Sequence, residues 1–248
     1  ESGRNLPVFT RFVGPISVRL TGKVPQSLPS ELNRLIHRLQ DEANLDIYYT
    51  SADQANVNVH AVSRRQIQRT LPMAAYFLAP NIINLEDFKA SRKTAKTSWS
   101  AKTERRMVSL FIPTDASPEE MRDCLHEEFA QGLGLLNDLY RLPNSVFNDD
   151  NIHTILTDFD MMVLRATYAP ELRSGSTSSV SKEMDIYACG ILFDELFKSV
   201  TIENQSRLQE LIATMKSENP DQRPSTSEIL SHPPPPPAPP LRRPPPPP

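Results

Sequence analysis

The sequence predicts an α+β fold built on a mixed sheet, followed by a small all-α segment and a disordered proline-rich tail. Three observations carry this. Short runs that alternate apolar and polar residues are interleaved with stretches whose apolar residues recur at helical spacing. After about residue 175 the apolar spacing is helical only. Twelve of the 24 prolines fall in residues 233–248. The organisation expected is therefore a domain over 1–175, a helical fragment over 176–232 and a polyproline tail over 233–248.

The elements follow in order. Ile16-Ser17-Val18-Arg19-Leu20 alternates as a half-buried strand does. Leu28-Pro29-Ser30-Glu31 opens a helix whose stripe is Leu32, Leu35, Ile36 and Leu39. Val57–Val62 alternates again, and Met107–Pro113 reads as a buried strand. Ser117-Pro118-Glu119-Glu120 is a strong helix start: serine caps, proline suits the first turn, and acids favour the positive helix end. Met121, Leu125, Phe129 and Leu133 form that helix's stripe, and Gly132 and Gly134 end it. Asp160–Tyr168 is a further helix. Between them Lys93, Lys96, Lys102, Arg105 and Arg106 read as a solvated basic linker that Trp99 could anchor, and His37, His60, His153 and His232 as ordinary surface or core histidines.

Composition excludes several classes. With 27 basic and 30 acidic residues the net charge is −3, which argues against a nucleic-acid partner. No apolar run is long enough to span a membrane. Two cysteines, Cys124 and Cys189, cannot build a disulfide framework or a Cys-rich zinc module.

The most informative segment runs from His126 to Asp138. His126-Glu127 suggests the zinc-peptidase H-E-x-x-H helix, but the second ligand position in that frame is Ala130. Shifted by one residue, the longer pattern H-E-x-x-H-x-x-G-x-x-H aligns with Glu127-Glu128-x-x-Gln131-x-x-Gly134-x-x-Asn137. Positions i and i+4 share a helix face, so Glu127 and Gln131 point the same way, and Gly134 can turn the chain to bring Asn137 back. The scaffold resembles a metzincin whose ligand slots hold Glu127, Gln131 and Asn137. Ser145-Val146-Phe147-Asn148 stands where a metzincin has its Met-turn, with Phe147 in the methionine position, and the helix to Tyr168 resembles the closing helix. Zinc favours imidazole and thiolate, so this donor set suits a hard divalent cation or no metal at all, and no cofactor is expected. Without an acidified water Glu128 has nothing to activate; it is the catalytic residue only if the chain is active.

Cys124–Glu128 through Asn137-Asp138, Ser145–Asp149 and Leu164–Leu172 together resemble domain-of-unknown-function family 2927, over residues 8–175. That resemblance implies a peptidase-like, extracytoplasmic domain, periplasmic or secreted, and supplies no reaction. A second resemblance follows. Asp185-Ile186-Tyr187-Ala188-Cys189-Gly190 to Glu195-Leu196 and Asn219-Pro220-Asp221-Gln222-Arg223-Pro224 are similar to the C-terminal lobe of eukaryotic protein kinases. In kinases the arginine equivalent to Arg223 pairs with an A-P-E glutamate, which Glu171 would supply. The glycine-rich loop, the strand lysine and H-R-D are missing, and Asp158-Phe159-Asp160 only mimics D-F-G, so phosphoryl transfer has no support. The join between the two resemblances falls near residues 168–175.

The tail should adopt polyproline II. Pro237-x-x-Pro240-x-Arg242 and Arg242-x-x-Pro245-x-x-Pro248 match the two orientations of SH3 ligands, and the proline runs suit profilin-type domains. The functional expectation is a non-catalytic binding or structural domain with a cleft along Glu127, Glu128, Gln131, Asn137 and Asp138. The rivals are a divergent metal-dependent hydrolase using Glu128, and a catalytically dead kinase-like scaffold, cytoplasmic in that case, that recruits SH3-type partners.

Overall fold

Alternation and helical spacing resolve into one five-stranded sheet with helices on both faces. The computed structural model describes residues 8–136, 144–148, 153–170, 172–175, 205–217, 219 and 222–224. The order is β1 (Ile16–Gly22), α1 (Leu28–Asp41), β2 (Ile47–Tyr49), β3 (Val57–Val62), α2 (Arg64–Thr70), β4 (Phe77–Pro80), α3 (Leu85–Ser91), a 3-10 turn (Trp99–Ala101), β5 (Val108–Pro113), α4 (Pro118–Leu133) and α5 (Asp158–Thr167). α6 (Gln205–Met215) follows. The strand order is β2-β1-β3-β5-β4. β1, β2, β3 and β5 run parallel, and β4 pairs antiparallel with β5 at the sheet's edge. The fold is α+β with a mixed sheet.

Every residue of β5 is buried, because both its faces are covered. Val57, Val59 and Ala61 of β3 join Val108, Leu110 and Ile112 of β5 in the main core, with the α1 and α4 stripes packed on them. The period of two sends Phe111 to the other face, where it stacks on Phe77 and His60 at 4.5 and 4.9 Å. Burying a leucine contributes roughly 1.5–3 kcal/mol, so Leu32, Leu35 and Leu39 alone fix α1 to the sheet. Gly22 has φ +96°, and a Cβ there would stand 2.1 Å from the Ala61 carbonyl oxygen, so this strand end tolerates glycine alone.

The two ends of α4 form as their residues dictate. Ser117 Oγ accepts from the Glu120 amide at 3.1 Å. Gly134, at φ +156°, closes the far end with its amide donating to Ala130 and Gln131.

The basic linker reading is corrected for Arg105. Lys93, Lys96 and Arg106 are exposed, but Arg105 is only 6% exposed. The loop is folded: Lys96 pairs with Asp87 at 2.6 Å, Lys102 Nζ reaches the Ala95 carbonyl at 2.8 Å, and Trp99 packs on the core. Asp158-Phe159-Asp160 is simply the first turn of α5, where Thr157 and Asp160 form a capping box. His37 is exposed and His60 is half-buried in the core.

The chain divides into two compact units, Glu1–Lys182 and Glu183–Pro248. The first is fastened end to end: Arg11 Nε donates to the Leu172 carbonyl at 2.8 Å, and the Gly175 amide to the Phe9 carbonyl at 2.9 Å. In the second, α6 buries Ile212 and Met215, and after it Arg223 Nε donates to the Ser217 carbonyl at 2.8 Å. Among the described residues no helix is long and apolar enough to cross a membrane.

His126 pins the entry to α5. Its Nδ1 accepts from the Leu156 amide at 3.1 Å, while Nε2 faces Glu31 Oε1 at 3.4 Å. Arg38 Nη1 holds the Leu156 carbonyl at 2.7 Å. Burial lowers the His126 and His60 pKa values from 6.5 to about 4. The unfolded chain therefore binds protons more readily than the native one in that window, so stability falls as pH drops from about 6.5 to about 4. Urea unfolding across this range should show a loss of roughly 1–3 kcal/mol for His126. His126→Asn, whose amide oxygen can still accept from Leu156, should be weaker at neutral pH but flatter over the window.

Candidate functional site

The sheet delivers α4 directly after its most buried strand, and the helix's polar residues meet the edge strand β4. Gly132 permits the close approach: a Cβ there would lie 3.3 Å from Val108 Cγ2. Between α4 and the Leu71–Leu78 stretch lies a cavity of about 710 Å³. Glu127, Glu128 and Gln131 form its polar side. Tyr76, Phe77 and Leu78 form the strand side, and Trp99 and Leu136 also line it. Met73, 97% exposed, stands among the lining residues of the loop that enters β4.

The carboxylates differ in setting. Tyr76 Oη donates to Glu127 Oε2 at 2.9 Å, and Gln131 Nε2 approaches Glu127 Oε1 at 3.5 Å. Burial and the Glu127 charge raise the Tyr76 pKa well above the ordinary phenol, so its hydroxyl stays a donor. Glu128 is 6% exposed and lines the same cavity. The expected i, i+4 pairing of Glu127 with Gln131 is present.

Asn137, Asp138, Glu171 and the tail residues Pro237, Pro240, Arg242, Pro245 and Pro248 fall outside the described residues. Phe147 is buried in the main core. Its turn is held by Asp160, itself 1% exposed. Ser145 Oγ donates to one carboxylate oxygen of Asp160, and the Val146 and Thr157 amides donate to the other at 3.1 and 2.8 Å.

The peptidase resemblance implies zinc, and the donors present do not fit it. The one histidine of α4, His126, is engaged by Leu156 and Glu31. Glu127 is held by a phenol and an amide N–H, and Gln131 directs its nitrogen rather than its oxygen toward that carboxylate. Among the described residues no group of three or more His, Cys, Asp or Glu could hold a metal.

Sequence reasoning missed Tyr76 and the β4 wall. The run Tyr76-Phe77-Leu78-Ala79-Pro80 carries a signal, since it is apolar, rich in β-formers and closed by proline, but it is four strand residues long. Arg105 was also missed. Its Nη1 donates to the Gln131 and Gly132 carbonyls at 3.0 and 2.6 Å, and its guanidinium lies 4.8 Å from the Trp99 ring centre.

Residues 1–184 match a family described as a protein of unknown function, DUF2927. The chain belongs to this family. No curated protein and no solved structure matches it. Family membership thus places the fold unit and leaves the cleft to be read from its own residues.

Asp160 holds the Phe147 turn through its contacts to Ser145, Val146 and Thr157, which makes it a clean probe of the turn. Asp160→Asn replaces an acceptor facing N–H and O–H donors with an amide nitrogen. It should cost about 2–3 kcal/mol in urea unfolding followed by circular dichroism, with a normal fold at low denaturant.

Proposed function

We propose that the first unit is a non-catalytic, polypeptide-binding domain on a metzincin-like peptidase scaffold that has lost its zinc ligands. One observation carries the reading: the cavity on α4 opens beside β4, which among the described residues is an edge strand paired on one side only. An unpaired strand edge offers backbone N–H and C=O groups in the spacing an extended peptide needs. A pocket beside that edge accepts a side chain of the added strand, since alternate residues point the same way. The likeness to metzincins is supported by the mixed sheet with a single antiparallel edge strand, by α4 following β5, and by α5 after the Phe147 turn.

The missing chemistry favours binding over hydrolysis. Glu128 as a general base requires an acidified water, and the zinc that would supply it finds no suitable donors in Glu127 and Gln131. Extracytoplasmic placement belongs to this proposal, on the family resemblance alone. The kinase C-lobe-like reading of residues 176–232 rests on its sequence pattern. The helix Gln205–Met215 followed by a turn at Ser217 and Arg223 is compatible with it.

Two measurements test the proposal. Elemental mass spectrometry of the purified full chain should find zinc far below stoichiometric. A stoichiometric metal lost in both Glu128→Ala and Gln131→Ala would instead overturn the reading without metal and revive a metal-dependent hydrolase. Amide hydrogen exchange with an excess of short, β-forming peptides should slow exchange at Phe77–Ala79; unchanged exchange there would overturn strand addition.

A further inference from the structure

We propose that the outer surface of α2 and α3 docks on an anionic phospholipid membrane surface, with Met73 entering its apolar edge. The proposal does not depend on the polypeptide-binding reading. It starts from a segregation of charge. The whole chain carries −3, yet α2 and the stretch from α3 to residue 96 are strongly basic. Two of the cations there are matched: Arg64 pairs with Glu120, and Lys96 with Asp87 at 2.6 Å. Five others, Arg65, Arg69, Lys89, Arg92 and Lys93, are exposed and make no ion pair among the described residues. Against them the two helices set one exposed acid, Glu86.

The fold gathers these cations on one side. Ile67 and Thr70 bury the inner face of α2, so helical spacing sends Arg65 and Arg69, four residues apart, to its outer face. Arg92 Nη1 donates to the Thr70 carbonyl at 2.8 Å, which brings the end of α3 to the end of α2. Met73 lies three residues beyond Thr70, within about 11 Å of chain, and is 97% exposed. Arg69 and Lys89 offset the negative ends of their helices, a common arrangement. Arg65 has no such reason. It stands in the first turn of α2, where no acid balances it and the helix dipole opposes it.

Charge complementarity calls for an anionic partner, and the form of the surface favours lipid. Long exposed side chains spread over two helices suit a diffuse layer of anionic head groups, each cation adding to the attraction. A bare methionine beside them gains by entering the boundary between head groups and acyl chains, which an acidic polypeptide does not offer. Single-stranded nucleic acid is met by exposed aromatic rings, and the aromatic residue of these helices, Phe88, is buried.

The test is co-sedimentation of the full chain with vesicles of phosphatidylcholine alone or of equimolar phosphatidylcholine and phosphatidylglycerol. The anionic vesicles should bind about tenfold more tightly. The preference should fade as salt rises from about 0.1 to about 1 M, where the Debye length falls from about 10 to about 3 Å. Arg65→Glu, Arg69→Glu and Lys93→Glu together should abolish it with an unchanged circular dichroism spectrum, and Met73→Ser should weaken binding severalfold. The three glutamine substitutions give the same reading if charge reversal disturbs the fold. Equal binding to both vesicles would overturn the proposal, as would an anionic preference that survives these variants. Release by inorganic phosphate, or binding to poly-glutamate and not to vesicles, would overturn the lipid surface as the partner.

Discussion

The structure turns on how the carbonyl end of α4 is satisfied. A helix leaves its last carbonyls without intrahelical partners, and burying them unpaired would cost about 1–3 kcal/mol each. Here Arg105 takes the Gln131 and Gly132 carbonyls and the Tyr168 hydroxyl takes that of Leu133 at 2.8 Å. Burial lowers the Arg105 pKa to about 10, which still leaves it cationic at neutral pH, at the negative end of the helix dipole. Two of its nitrogens, Nε and Nη2, find no hydrogen-bond partner among the described residues. The arrangement is thus tense: a buried cation is retained at some cost because three separate pieces of chain meet on it. Trp99 stacks on its guanidinium, the start of β5 follows it within three residues, and α4 ends on it. Gln131 and Trp99, which both line the cavity, are therefore positioned by one side chain that does not enter it.

A second anchor works from the opposite side. Asp160 gathers the Ser145 hydroxyl and the Val146 and Thr157 amides, and His126 with Arg38 fixes both backbone groups of Leu156. These contacts hold the Phe147 turn and the start of α5 by hydrogen bonds within the protein. In a zinc peptidase the metal itself would tie the active helix to the segment that follows. In this chain a buried carboxylate and a buried imidazole make that link.

What the sequence disclosed follows physical range. β1, β3, β5, α1 and α4 were legible because their patterns are local: Val57-Asn58-Val59-His60-Ala61 alternates, and Leu32, Leu35 and Leu39 repeat within one helix. β2 and β4, with three and four residues, are shorter than the window that reveals a period, and α2 begins with Arg64-Arg65-Gln66, which shows no apolar stripe. The Glu127–Gln131 face was legible from spacing alone. Tyr76 reaches Glu127 across 51 positions, and Arg105 reaches Gln131 across 26, so neither contact leaves a trace in local pattern. Arg105 misled for a further reason. A cluster of lysines and arginines among serines and threonines resembles a solvated loop unless one knows that a helix ends against it.

Under the proposed reading, the same geometry lets a site without zinc ligands keep a binding role. Catalysis requires interactions that are stronger in the transition state than in the ground state. A zinc-bound water supplies such an interaction, and Glu127 and Gln131 cannot replace it. In that reading ground-state recognition has other sources: the edge of β4 that no described strand covers and the apolar wall from Leu71 to Leu78. None of these passes through the metal. Under the proposed reading, a carboxylate and an amide in the ligand positions remove the chemical step and leave strand recognition untouched.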